Sequence, residues 1–377
     1  MKGALSLRRV GLALLAPAVA VVISFTLSAI VLAAIGKSHA LVAFFDLGDT
    51  PRQQVNSVVT ALNRAIPLFL AGIAVSVGFR MGLFNIGVEG QYRMATVLAA
   101  ALGAVTPLPG PLNILLIIVV AMLTGAAWAA VPAVLKVTRG VSEVISTIML
   151  NFVAVGLAAY LLQGPFKDPD LPPGGNVYTR TLPEDSWLPD LNGLLVAFGL
   201  PEPRIRLYGF LVIAVIVGAA VAFLLSRTRF GFDLRATGLS PTAALTAGVD
   251  ARAMTVRVML LSGALAGLIG LPELLGKTHA YGTSFTAGLG FTGIAVALLG
   301  RNTVTGIALG ALLFGFLDRA SIPLQFQGVP PSVVTIMQGL IVLSVVIANE
   351  VVRRLALARA ERVTAEGKTT VTAEVAA

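Results

Sequence analysis

The chain has 377 residues, 56% of them hydrophobic and only 12% charged, whereas a soluble domain carries about 25% charge. That balance leaves too little polar surface for a water-soluble globule and too much apolar content for disorder, and the 39 Gly and 20 Pro follow no collagen period. Cysteine is absent and histidine is limited to His39 and His279, which argues against disulfide frameworks, thiolate metal sites and multi-histidine centres, so the reading that remains is an all-α integral membrane protein with no metal site.

Residues 1–9 are basic and precede an uncharged run over 10–36. A secretory core is about 7–15 residues long, so this longer run is read as an uncleaved first span. Spans two to five are predicted at 62–79, 83–105, 112–135 and 141–163. The three prolines of T-P-L-P-G-P at 106–111 divide the third from the fourth. Residues 164–206 are polar, with K-D-P-D-L-P-P-G-G-N at 167–176, and read as an ordered outer loop or small cap. Spans at 207–226, 257–276, 285–300, 302–318 and 332–351 bring the total to about ten. The chain thus divides into an N-terminus (1–9), spans one to five (10–163), the outer loop (164–206), spans six to ten (207–352) and a tail (353–377).

With both termini inside, the Lys/Arg excess falls on the cytoplasmic loops. The formal charge of +9 is then a topology signal and not a nucleic-acid footprint. Two sets of five spans place the second set upside down, as in many transporters. V-I-S-T-I-M-L at 144–150 and S-V-V-T-I-M-Q at 332–338 set Thr-Ile-Met at the same depth of spans five and ten.

The most unusual segment is G-L-F-N-I-G-V-E-G-Q-Y-R at 82–93. It concentrates Asn85, Glu89 and Gln91 beside two glycines, Gly87 and Gly90, each of which weakens a helix by roughly 1 kcal/mol relative to Ala. Irregular backbone at membrane depth survives only when buried in protein or lining a watery cavity. One reading is a broken helix near 82–93 that lines a path, with Phe84 as an apolar face and the amides as solute ligands. The other is a solvated cytoplasmic loop. Glu89 either accepts solute hydroxyls or braces the break through backbone amides. Asn151 and Gln338 either hydrogen-bond neighbouring helices or face the path.

F-R-M-G-L-F-N-I-G-V-E-G-Q at 79–91 closely resembles the signature of ABC-importer permease subunits of the nucleoside/simple-sugar type, within the ribose and branched-chain amino acid permease superfamily. S-E-V-I-S-T-I-M-L-N at 142–151 and R-T-R-F-G-F-D-L-R-A-T-G-L-S-P-T-A-A-L-T-A-G-V at 227–249 fit the same group. G-P-F-K-D-P at 164–169 is similar to the longer of two paired nucleoside permeases. The resemblance covers about 60–350. It implies a heterodimer with a shorter homologous permease, a cytoplasmic ABC ATPase that binds the ATP and Mg, an extracytoplasmic substrate-binding lipoprotein, and residence in a bacterial cytoplasmic membrane. No cofactor is implied for this chain.

The loop 227–256 carries its own signal. Ser240 is a candidate N-cap, Pro241 suits the first helical position and Gly248 a stop, so a short small-residue helix is expected between them. Taken alone, the loop is either a docking element or an ordinary basic connection. The family resemblance makes it a coupling helix, with Arg235, Gly238, Ala243, Ala244 and Gly248 at the ATPase contact.

G-L-P-E-L-L-G-K-T at 270–278 imitates a phosphate loop but has five residues between its glycines where four are required. Glu273 and His279 invite a proton relay but read better as an interfacial pair. The sequence therefore points to a non-enzymatic translocation subunit, with an ion-coupled secondary transporter or facilitator as the alternative.

Overall fold

The computed structural model describes residues 45–172 and 174–330, together with 26, 29–37, 42, 332–337, 339–340, 343–344, 347, 351 and 354. The predicted N-terminus 1–9, most of the first span, much of the tenth and nearly all of the tail lie outside the described residues. Contacts divide the chain into two units, Leu47–Arg319 and Met1–Asp46 with Ala320–Ala377. In the latter, 29–34 and 332–337 are helical.

In the larger unit α1 (Pro51–Phe79) starts at a reciprocal cap. The Gln53 amide N–H donates to the Thr50 hydroxyl and the Thr50 N–H donates to the Gln53 side-chain oxygen, with proline at the first position. The helix therefore begins well before residue 62, because the cap and not the onset of uninterrupted hydropathy sets its start. α2 (Val88–Val105) and α3 (Gly110–Arg139) part at the proline cluster. α3 ends on Gly140, at φ +67°, with Lys136 and Arg139 in its last turn. α4 (Glu143–Gln163) follows. The 164–206 region contains α5 (Asn192–Ala197). Next come α6 (Phe210–Arg227), α7 (Arg229–Leu239), α8 (Pro241–Thr246) and α9 (Ala251–Gly267). α10 (Leu271–Glu273) runs into a π-helical turn, Leu274–Thr278, and α11 (Leu289–Leu299) and α12 (Val304–Phe326) close the series. Among the described residues there is no strand, only isolated bridges.

Six helical runs among the described residues are long and apolar enough to cross a membrane. α11 is not one of them. Its 11 residues span roughly 16 Å at about 1.5 Å per residue, half of a hydrocarbon core of about 30 Å. The predicted full span 285–300 is thus corrected to a half-length helix, because the chain stays irregular to Gly288 at φ +83°.

α1 and the run Ala251–Thr278 are the central pieces, with 61% and 78% of their most apolar windows buried, against 22–28% for α3, α4 and α6. The outer helices turn Phe152, Tyr160 and Phe223 outward, as a hydrocarbon-facing surface requires. α3 and α9 meet backbone to backbone, since a Cβ on Gly125 would lie 2.1 Å from the Gly263 carbonyl oxygen. Small residues permit this approach. The order central helix, irregular stretch, shorter helix, long helix occurs twice: α1, 80–87, α2, α3, and then α9–α10, 279–288, α11, α12.

Candidate functional site

The stretch 80–87 is where α1 stops and α2 has not begun. Gly82 adopts φ +74°, and the Leu83 N–H closes the turn on the Gly78 carbonyl at 3.0 Å. Asn85 is fully buried. Its side-chain amide donates to the Gln91 oxygen (3.0 Å) and to the Ser262 hydroxyl oxygen on α9 (2.9 Å). Its side-chain oxygen accepts from the Gly87 N–H (3.1 Å) and from the Gln91 amide (2.9 Å). Asn85 and Gln91 thus satisfy each other. Asn151 of α4 closes the other side, donating to the Ile86 carbonyl and accepting from the Gly90 N–H at 2.9 and 2.8 Å.

The break is narrower than the 82–93 expected. The helix resumes at Val88, so Glu89, Gly90 and Gln91 lie in a regular first turn. Gly90 does not interrupt the helix; a Cβ there would lie 2.9 Å from the Asn151 side-chain oxygen and from the Ala154 Cβ. Phe84 is half exposed and packs on Phe79, ring centres 4.9 Å apart. It does not join the amide knot.

Glu89 is buried and reaches the second irregular stretch. Its carboxylate accepts from the Gly288 N–H (2.9 Å) and the Gly290 N–H (3.0 Å), from the Tyr92 hydroxyl (3.1 Å) and from the Arg93 guanidinium (2.9 Å). The backbone donors at the start of α11, for which Gly288 has no side-chain cap, are therefore satisfied by a residue of α2. The negative charge also sits at two positive helix ends, its own and that of α11.

At the far end of α1 lies the α7–α8 pair. Ser240 caps α8 by accepting from the Ala243 N–H (3.3 Å), and Gly248 turns at φ +81°. Ala243 is exposed and Ala244 buried. The Arg235 guanidinium donates to the Leu225 carbonyl, which ties α7 to the end of α6. Gly238 lies against the turn after α1, since a Cβ there would sit 2.5 Å from the Arg80 carbonyl oxygen. The Arg80 guanidinium in turn donates to the Asn302 carbonyl at 3.0 and 2.6 Å. Leu239, Phe232 and Leu245 are 88%, 62% and 57% exposed. The sequence reading passed over these three, although an apolar residue in a short polar-flanked helix pair was a legible sign of a partner surface.

The 164–206 loop is folded onto the segment after α10. The Leu182 N–H donates to the His279 carbonyl at 2.8 Å and the Thr179 N–H to the Tyr281 carbonyl at 2.9 Å. Trp187 stacks on His279 with ring centres 3.8 Å apart. His279 and Glu273 have different surroundings, the latter lining a cavity. The false phosphate loop is α10 and its π turn.

A family model described as branched-chain amino acid transport system / permease component matches residues 57–346. The chain belongs to this family of membrane permeases. The permease is 35% identical to the glucose ABC transporter permease protein TsgB13 of Haloferax volcanii, over 75% of this chain and 74% of that one. It is 32% identical to the guanosine ABC transporter permease protein NupP of Bacillus subtilis, over 88% and 92%. It is 30% identical to the nucleoside ABC transporter permease protein NupB of Lactococcus lactis, over 87% and 89%.

Proposed function

We propose that this permease is the membrane-crossing subunit of an ABC importer for neutral nucleosides or related simple sugars. The observation that carries the transport reading is the meeting of two interrupted helices, 80–87 with α2 and 279–288 with α11, at the Glu89 carboxylate. Paired discontinuous helices at matching places in two halves are the architecture of a solute path. The solute class is supported by the relatives matched over nearly their whole length, which carry guanosine and nucleoside in their names.

In this reading α8 docks in a cleft of a separate cytoplasmic ATPase, which binds ATP and Mg. Exposed Ala243, Leu239 and Leu245 meet that partner, while Arg235 and Gly238 hold the pair to α6 and to the turn after α1. Ala244 and Gly248 shape α8. Both termini and the α7–α8 end lie in the cytoplasm, consistent with Arg227 and Arg229 at the foot of α6, and the 164–206 loop receives a substrate-binding lipoprotein on the outside of the cytoplasmic membrane. A second, shorter permease completes the pair. Asn85, Gly87, Glu89, Gly90 and Gln91 act as the brace of the interrupted helices, and Phe84 lies beside it. The test is ATP-driven uptake of radiolabelled guanosine and uridine by vesicles holding the complete complex. ATP-dependent uptake supports the reading. Uptake driven instead by an ion gradient without the ATPase overturns it.

A further inference from the structure

The 164–206 region carries one uncharged run at its surface. Residues 193–201, G-L-L-V-A-F-G-L-P, contain no charged or hydrogen-bonding side chain. They make up α5 beyond its first residue and the turn that follows. Leu194, Val196, Phe198 and Leu200 are all exposed, Phe198 at 76%. A contiguous exposed apolar patch marks a surface for protein or for lipid.

The run closes on itself. The Leu194 and Leu195 N–H groups donate to the Leu191 carbonyl (3.1 and 3.3 Å), the Gly199 N–H to the Val196 carbonyl (2.9 Å) and the Leu200 N–H to the Leu195 carbonyl (3.1 Å). Gly199, at φ +79°, permits this reversal and ends the helix, and Pro201 has no N–H to satisfy. Backbone that meets lipid must be satisfied internally, because hydrocarbon offers no partners. A protein surface is met with roughly one hydrogen bond per 100–200 Å², and these side chains have none to give.

The neck of the run sets its depth. The Leu191 N–H donates to the Leu207 carbonyl (2.9 Å) and the Leu207 N–H to the Asn192 side-chain oxygen (2.8 Å), just before α6 begins at Phe210. Two asparagines of α1 hold the same segment. Asn56 accepts from the Arg204 N–H (2.8 Å). Asn63 donates to the Arg206 carbonyl (2.7 Å) and accepts from the Tyr208 N–H (3.0 Å). About 20 helical residues cross a hydrocarbon core of about 30 Å, so a core measured back from Phe79, the last residue of α1, ends near Thr60, between Asn63 and Asn56. The neck therefore lies at the hydrocarbon edge. It is continuous with the face of α6 that turns Val212, Val215, Ile216 and Phe223 outward. Charge collects at this neck and not at the tip, where Arg204 and Arg206 are exposed.

We infer that residues 193–200 are an interfacial anchor, whose apolar tip enters the lipid leaflet at this end of the bundle while Arg204 and Arg206 stay among its headgroups. An apolar insertion flanked by basic residues is the chemistry of interfacial helices. In the importer reading this is the outer leaflet, and 164–190 is left for the lipoprotein. The anchor does not depend on which solute is carried.

The chain has no cysteine, so a single introduced cysteine carries a single nitroxide. The experiment uses the full-length permease in phosphatidylcholine vesicles, bearing Phe198→Cys or, elsewhere on the same loop, Glu184→Cys; both positions are exposed. Electron paramagnetic resonance compares collision of each label with oxygen, which concentrates in the bilayer, and with a water-soluble nickel chelate. The expected result is a label at 198 that collides with oxygen and loses collision with nickel, and a label at 184 that does the reverse. Adding Leu194→Asp and Leu200→Asp to the Phe198→Cys protein is expected to restore nickel collision at 198 to the level seen at 184, with thermal melting unchanged because both leucines are exposed. Equal nickel collision at 198 and 184 in the parent pair overturns the anchor. So does a label at 198 that meets nickel until an outer-face lipoprotein is added, which would make the run a protein-docking surface. A label at 198 that stays in lipid despite the two aspartates also overturns it, because the apolar side chains would then not be what holds the tip there.

Discussion

The Glu89 carboxylate lies 3.0 Å from the Gly290 amide nitrogen, across 201 residues of sequence. A Cβ on Gly290 would come within 2.4 Å of the Glu89 nitrogen, so the glycine is what lets α11 approach α2. The contact joins the two halves of the chain at the two places where each loses regular helix.

Gly290→Ala is therefore expected to destabilise the protein by about 1–3 kcal/mol through overpacking, and Glu89→Gln by about 1.5–3 kcal/mol through lost charged hydrogen bonds. Thermal unfolding of the detergent-solubilised complex measures both. A double variant whose loss equals the sum of the two singles would show that the residues act independently and would contradict the brace.

Asn85→Ala removes a partner from Gln91, Ser262 and the Gly87 N–H. The expected outcome is a loss of about 1–3 kcal/mol with uptake falling in step with the amount of folded complex. Lost uptake at unchanged thermal stability would return Asn85 to direct solute contact.

Ala243→Glu and Ala244→Glu should separate, because one methyl is exposed and the other buried. Ala243→Glu is expected to abolish co-purification of the ATPase while melting is unchanged. Ala244→Glu is expected to lower the melting temperature itself, since an unpaired buried charge is costly. Leu239→Ser should weaken ATPase association without altering stability. Identical behaviour of the two alanine variants would refute the assigned orientation of α8.

His279 provides a pH test. Its ring is packed on Trp187, and burial, then the Arg206 charge, holds its pKa below the ordinary 6.5. A depressed folded value means the unfolded state takes up the proton more readily. The stability contribution is then present above pH 6.5 and is lost as the pH falls through the lower folded value. Wild-type melting should fall on acidification across that window. His279→Phe, which keeps the ring stack without a proton site, should fall less. Equal acid sensitivity of the two proteins would count against this role.

Composition and local pattern were enough to define this protein as a helical membrane protein, and the resemblance of 79–91 to a permease signature supplied the rest. Low charge and long apolar runs dictate the solvent each segment needs, and the prolines at 106–111 and the cap at Ser240 act within a few residues of themselves. The capping box at Thr50 and Gln53 was equally local and could have been read. The sequence also marked 82–93 as irregular. It could not decide whether Asn85, Glu89 and Gln91 faced a solute or the protein, because Asn85 and Glu89 find Ser262, Gly288 and Gly290 at separations of 177, 199 and 201 residues and hydrogen-bond satisfaction is a property of the assembled core. The same holds for α11. Its 289–299 stretch is as apolar as a full span, and only the fold ends it at half length, on a carboxylate supplied by α2.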